Sequence, residues 1–353
     1  MSQSFSAAYL QRLGSAVFQA YGAPGHEADH VAQLLVQADL MGLPSHGLLR
    51  LPQYVGDMGR GVIVPGAELL VRPASPTGVQ VDAQWNFGQV GATRAVELAV
   101  QRARELGVGC ASLRRCRHVG RLGAYTEMAA AQNCLALATC STAGEGHWVA
   151  PFGGRQGRLG TNPLSFAAPT SGRPVVLDFS TAALPEGKVR FYRDTGQSLP
   201  SGSLVDQVGG PSSDPDDLYA ADGTPAGAIL PFGGPQGYKG FGLGFMVQIL
   251  SSLVGEPTWR EEGDASNANT MWLMVIDVGA WMETDRFKDE LDEMVAYMRS
   301  AAPAQGSTGV LVPGQREFDL EALDRRQGIP IEDGVWEQIV AVAQTAGVSL
   351  EAA

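Results

Sequence analysis

The strongest constraint on what this chain can fold into is its punctuation. It carries 45 glycines and 21 prolines, about 19% of 353 residues, with no short repeat. Collagen, which needs a strict triplet, is excluded. Apolar residues still reach 44%, enough for a sizeable core, and they recur in periodic segments, which argues against simple disorder. A loop-rich α/β or α+β protein follows, as one large domain or two intimately joined ones. No apolar run approaches a bilayer span, and the segment from Met1 to Ala8 has no signal-peptide pattern, so a cytoplasmic protein is expected. The net charge of −12 excludes a large nucleic-acid surface while leaving room for a local phosphate site. Cys110, Cys116, Cys134 and Cys140 form no zinc-like pair, so free thiols and no metal are expected.

Periodicity divides the chain into helices and strands. Ser6 is placed to cap a helix carrying Leu10, Leu13, Val17 and Phe18, and Pro24 with Glu27 opens a second with Val31, Leu34, Leu35 and Ala38. A short third helix would carry Leu48, Leu51 and Tyr54 on one face. Leu69, Val71, Val79 and Val81 alternate as in strands, and a helix over 92–106 stops at Gly107. Short apolar runs follow at 108–113, 135–140, 164–168 and 175–179. The segments 123–132 and 242–254 read as buried helices, small or apolar on most sides. Residues 193–225 read as a surface excursion, 271–278 as a central strand, and 285–300 and 335–346 as helices.

Several strings carry chemistry. Gly120-Arg121-Leu122-Gly123 and Gly237-Tyr238-Lys239-Gly240-Phe241-Gly242 are the nearest approach to a dinucleotide fingerprint. Neither has the strand, turn, helix and distal acid that a Rossmann site requires, and a P-loop is absent. His26 and His30 lie one helical turn apart without an acidic or cysteine partner, so a solvated face is expected. A helix beginning at His46 would put His46, Arg50 and Tyr54 on one face. That set could exchange a proton, hold a carboxylate and add a phenol; a capping histidine with two surface side chains fits the pattern equally. His118 follows Arg114, Arg115 and Arg117 and precedes a small-residue helix, a setting for an anion or an ordinary basic loop. Gly160-Thr161-Asn162-Pro163, Leu177-Asp178-Phe179-Ser180-Thr181 and the 233–242 string offer amides, hydroxyls and one lysine. Such donors suit a phosphorylated cofactor, and turn chemistry explains each string singly.

In this order, from Ser45-His46-Gly47-Leu48-Leu49-Arg50 to Gly309-Val310-Leu311-Val312-Pro313-Gly314, the strings resemble the type-2 malate/L-lactate dehydrogenase family. That family includes ureidoglycolate, sulfolactate and Δ1-piperideine-2-carboxylate enzymes. The resemblance implies an α+β fold, not Rossmann, with a mainly antiparallel cofactor-binding sheet flanked by helices. A helical subdomain (1–75 with 315–353) would join an NAD(P)-binding domain (76–314), and the protein would be a homodimer. It implies hydride transfer between NAD or NADP and C2 of a small 2-oxo or 2-hydroxy acid, with cyclic imino acid reduction as the alternative. A catalytically silent binding protein on the same scaffold is a third reading.

By resemblance His46 and His118 are the catalytic pair, with His46 as proton donor. Ser45, Arg50, Tyr54, Ser141 and Thr142 would bind substrate, Arg50 taking its carboxylate. Thr161, Asn162, Asp178, Phe179, Ser180, Thr181, Lys239, Pro313, Gly314, Gln315 and Arg316 would contact cofactor. Arg155, Arg158, Arg190, Arg193 and Arg316 tilt the expectation toward NADPH. The chain departs from the family in Gly144-Glu145-Gly146-His147-Trp148 and near Asn269-Thr270-Met271, which bears on the substrate.

Overall fold

Ser6 opens the first helix as its hydroxyl suggests: Oγ accepts the Tyr9 amide at 3.2 Å, relieving one of the unpaired N–H groups of a helix start. The structure, a computed structural model, describes residues 2–194, 196–254, 259 and 267–350. The domain bounds expected from sequence also include residues 1, 195, 255–258, 260–266 and 351–353, which lie outside the described residues. In chain order the elements are β1 (Ser2–Phe5), α1 (Ala7–Ala20), α2 (Gly25–Leu40), α3 (Leu51–Gly59), β2 (Leu70–Pro73), β3 (Gly78–Asp82), α4 (Gly88–Leu106) and β4 (Val108–Cys116). There follow α5 (Gly123–Ala130), β5 (Cys134–Thr142), β6 (Leu164–Ala168), β7 (Val175–Phe179), α6 (Glu186–Asp194), β8 (Leu204–Val205), β9 (Pro211–Ser212) and β10 (Ala228–Ile229). The last are α7 (Gly237–Leu253), β11 (Asn269–Asp277), α8 (Thr284–Arg299), α9 (Gln315–Gln327), β12 (Ile329–Glu332) and α10 (Asp333–Thr345).

Seven strands form the main sheet in the order β2-β3-β4-β11-β5-β6-β7. It is mostly antiparallel, and β3–β4 is its one parallel pair. The parallel pair exists because α4 intervenes between its strands: a parallel neighbour needs a long crossover, here a helix ending at Gly107 (φ +83°). Helices flank the sheet without closing it into a barrel. The expected α+β class, mainly antiparallel and not Rossmann, therefore holds.

The chain falls into two units, 1–137 with 166–177 and 273–353, and 138–165 with 178–272. In the first, Leu10, Leu13, Val17 and Phe18 of α1 pack with Val31 and Leu35 of α2, Tyr54 of α3, and Ile329, Ile331 and Ile339 near the chain's end. The antiparallel pairing of β1 with β12 joins the two ends. Four-residue strands carry too little periodicity to be read from sequence.

In the second unit, two expectations are corrected. The excursion at 193–225 is no bare loop: β8, β9 and β10 form a small sheet, and Leu199, Leu204 and Leu218 are buried with Val189 and Ile229. Helix α7 is not buried on most sides. Gly237, Gly240, Gly244, Ser251 and Ser252 face inward while Phe245, Met246 and Leu253 are exposed. The inversion follows from close approach. A Cβ on Gly240 would overlap the Phe232 carbonyl, and one on Gly244 would come within 2.7 Å of Thr181 Oγ1.

Gly240→Ala should therefore cost stability by about 1–3 kcal/mol, as overpacking does. Gly242→Ala, whose Cβ meets nothing within 4 Å, should gain about 0.5–1 kcal/mol from helix propensity. Urea unfolding of both variants checks the pair; equal effects would contradict the packing described.

Candidate active site

The segment before α3 departs from the single helix expected there. Pro44–His46 and Leu48–Arg50 form two separate 3-10 turns, broken at Gly47, whose ψ is −154°. His46, Arg50 and Tyr54 thus do not share one helical face. The break has a specific cause. Asp39, near the end of α2, is buried beneath the loop, and its Oδ2 accepts the Leu48 amide at 2.8 Å. A Cβ at Gly47 would overlap the Asp39 carboxylate, so only glycine leaves room for it. Burial pushes the Asp39 carboxyl up to about 7, with the Leu48 amide opposing that rise.

Tertiary contacts bring the histidines together. The His46 and His118 rings lie 5.3 Å apart, centre to centre, tilted by 34°. Ser45 Oγ is 2.9 Å from His46 Nδ1. Tyr54 OH is 2.7 Å from His118 Nδ1, and Gln89 Nε2 donates to the same phenol oxygen at 2.8 Å. Tyr54 is buried, so its hydroxyl is committed to His118 and Gln89. Arg50 donates from Nε to the Ser45 carbonyl and from Nη1 to Gln53 Oε1, each at 2.7 Å. That fixes the plane of its guanidinium.

Both imidazoles remain reachable by solvent yet are densely ringed by protein. Burial, then the charges of Arg50 and Arg121, holds His46 down to about 4. Burial, then Arg50 and His46, holds His118 well below the usual histidine range. Both are therefore neutral at pH 7.

Arg121 is buried. Its Nη1 donates to Glu127 Oε1 at 2.7 Å, while Nε and Nη2 are buried with no hydrogen-bond partner among the described residues. In the sequence Arg121 stands out only as part of a glycine-rich fragment, and Gln89 belongs to no motif. The signal for Arg121 was its place three residues after His118; for Gln89 there was none. The arginines before His118 are not an open anion site. Arg114 and Arg115 pair with Asp82 at 3.0 and 2.7 Å, and Arg117 lies 3.8 Å from Asp57. His30 packs rather than facing solvent, with Nε2 2.8 Å from Thr93 Oγ1.

The remaining candidates form separate groups. In the second unit Ser141 Oγ lies 2.9 Å from Thr270 Oγ1, and Thr142 Oγ1 accepts Asn269 Nδ2 at 3.3 Å. Asn162, at φ +40°, donates from Nδ2 to the Gly244 carbonyl and to Gln248 Oε1, both at 2.9 Å. Thr181 Oγ1 donates to the Asn162 carbonyl at 2.9 Å, and Ser180 Oγ to that of Thr161 at 3.2 Å. Phe179 meets Phe232 edge-on; burial raises the Cys140 thiol, and the nearby Asp178 adds to that rise. Lys239 is exposed in the first turn of α7, a start with no side-chain cap behind Gly233 and Gly234 at positive φ. In the first unit, Pro313 accepts the Val176 amide, and Gly314 (φ +86°) begins α9 without a side-chain cap. Gln315 Oε1 accepts Arg299 Nε at 3.1 Å, and Arg316 is exposed.

Residues 5–340 match the family model for malate/L-lactate dehydrogenase. The chain belongs to that family. An L-sulfolactate dehydrogenase of Methanocaldococcus jannaschii is 30% identical over 340 residues, 95% of each chain. The malate dehydrogenase structure from Pyrococcus horikoshii superposes with a TM-score of 0.88 at 28% identity, covering 99% of this chain and 97% of that one. The Δ1-piperideine-2-carboxylate reductase structure from Pseudomonas syringae gives 0.81 at 29%, covering 97% and 100%. Membership supports an oxidoreductase of malate, sulfolactate or lactate dehydrogenase type. No helix among the described residues is long and apolar enough to cross a membrane.

The neutral histidines give a pH test. An unfolded histidine titrates near 6.5, His46 at about 4. Between those values the unfolded chain binds more protons, so this contribution to stability is complete above about pH 6.5 and is lost as pH falls toward 4. His118 acts with the same sign. Asp39, raised to about 7, acts with the opposite sign over the same window, so the His46 part is read as a difference: the denaturation midpoint of the native protein relative to His46→Gln should fall as pH drops from about 6.5 toward 4. An NMR titration showing His46 protonating near 6.5 would contradict this.

Proposed function

We propose that the protein is a nicotinamide-dependent oxidoreductase transferring a hydride at C2 of a small 2-hydroxy or 2-oxo acid. The observation that carries the reading is the pair of neutral imidazoles, His46 and His118, held beside the cations of Arg50 and Arg121. Arg50 binds the carboxylate, its fork already oriented by Ser45 and Gln53. His46, neutral in the free protein, accepts the hydroxyl proton as C2 becomes a carbonyl. In reduction it must first gain a proton; a bound carboxylate offsets the two guanidiniums and favours that gain. Ser141 and Thr142 complete the substrate contacts in this reading.

The donor set fits a phosphorylated cofactor. An uncapped α7 start with Lys239 offers amides and a cation, and the uncapped α9 start at Gly314 offers more amides. Thr161, Asn162, Asp178 to Thr181, Lys239 and Pro313 to Arg316 would hold it, within the domain 76–314 and the adjoining 315–353 segment. When bound, nicotinamide supplies or takes up the hydride. Arg190 is paired with Glu186 and Arg193 lies over the Tyr219 ring. Arg155, Arg158 and Arg316 are exposed and remain candidates for a 2′-phosphate, which favours NADPH. Likeness to the piperideine-2-carboxylate reductase supports cyclic imino acid reduction as the alternative reading. The four free thiols suit a reducing compartment, the cytoplasm.

Arg50→Lys replaces a planar fork by a point charge, and kcat/KM for 2-oxo acids should fall by about 2–4 kcal/mol equivalent. His46→Ala should lose about 10²–10⁴-fold in turnover with near-normal nicotinamide affinity. Assays over a panel of 2-oxo, cyclic imino and sulfonated acids with NADH and NADPH read both variants. Unchanged kinetics in either would remove that residue from the chemistry.

A homodimer belongs to the same proposal. No residue of α8 is buried, and Met294, Tyr297 and Met298, on one helical face, are half or more exposed. Unpartnered apolar stripes mark interfaces, and a self-complementary patch closes as a two-fold pair. Sedimentation should show a dimer that Tyr297→Glu weakens toward monomer; a monomeric native protein would reject it.

A further inference from the structure

Gln89 lies outside every motif, yet its side chain is buried against the histidine pair. Two close packings hold it there. A Cβ on Gly88 would come within 2.5 Å of the His118 carbonyl oxygen, and one on Gly120 within 3.4 Å of Gln89 Nε2. The first turn of α4 and the 117–120 loop therefore meet backbone against backbone, with the amide between them.

The amide's orientation decides where protons sit. Nε2 donates to Tyr54 OH at 2.8 Å, and Oε1 is buried without a partner among the described residues. Turning the amide over would leave two N–H donors without a partner, where the present arrangement leaves one N–H and the carbonyl oxygen, and a buried orphan N–H is the rarer of the two. Tyr54 thus receives a hydrogen bond and has one proton to give. His118 Nδ1 stands at 2.7 Å and the His118 carbonyl at 3.4 Å. Only the first lies within the O–H hydrogen-bond range. Were Nδ1 protonated, the phenol would receive two donors and its own proton would be left with the distant carbonyl. Burial also pushes Tyr54 well above its usual titration range, so the phenol keeps the proton it donates.

We propose that Gln89 is a positioning residue that sets the tautomer of His118 through Tyr54, leaving the proton on His118 Nε2. His118 then acts as a fixed hydrogen-bond donor toward an oxygen at C2 of the substrate, and His46 alone exchanges the proton. The relay runs Gln89 N–H to Tyr54 oxygen, Tyr54 O–H to His118 Nδ1; no bond to hydrogen breaks within it. The substrate assignment rests on the oxidoreductase reading above, whereas the tautomer does not.

The test is 15N NMR of histidine-labelled native protein and of Gln89→Met, which keeps the length and removes the donor. His118 should be the Nε2–H form in the native protein. In Gln89→Met the Nδ1–H form should appear, with kcat falling about tenfold and KM nearly constant. A native His118 protonated on Nδ1 would overturn the proposal. So would a Gln89→Met variant, or Tyr54→Phe should that one not fold, in which His118 stays wholly Nε2–H. A relay found intact in a protein that turns over no 2-hydroxy, 2-oxo or imino acid would sustain the tautomer and sink the functional reading.

Discussion

The Asp39 carboxylate under the Pro44–Arg50 turns is the contact on which the rest of the site depends. Burying an acid is costly, and its raised titration point near 7 records that cost. The Leu48 amide offsets part of it. The remainder is tolerated because the carboxylate breaks the chain at Gly47, so that α3 starts anew at Leu51. Without the break, His46 and Arg50 would continue one helix. With it, Ser45 bonds to both of them, through Oγ to the His46 ring and through its carbonyl to the Arg50 guanidinium.

Around that loop the electrostatics are lopsided. Two guanidiniums act on His46, and one of them on His118 as well. Glu127 balances one edge of Arg121, and two buried nitrogens of that side chain stay unpaired. Burial together with this field keeps both imidazoles neutral. In the function proposed above, carboxylate binding and histidine protonation would be coupled, each making the other easier.

Helix α7 shows the same dependence on close approach in another setting. Its glycines and serines pack inward because backbone and hydroxyl neighbours leave no room for a Cβ. Its large apolar side chains are displaced outward. A composition that suggests a buried helix produces one with an exposed apolar face.

Local chemistry wrote much of this protein in its sequence. Ser6 capping α1, Gly107 ending α4, and the short apolar runs of β5, β6 and β7 are decided within a few residues, so spacing alone reveals them. The order of motifs marked the family, and with it His46, Arg50 and His118. Only the tertiary structure decided how these meet. Tyr54, Gln89 and His118 are separated by 35 and 29 positions, and β1 finds β12 across nearly the whole chain. No periodicity encodes such contacts, because they depend on loop closure and packing. The parallel β3–β4 pair, the break at Gly47 and the tautomer relay arise where a buried group takes the one partner the fold leaves within reach.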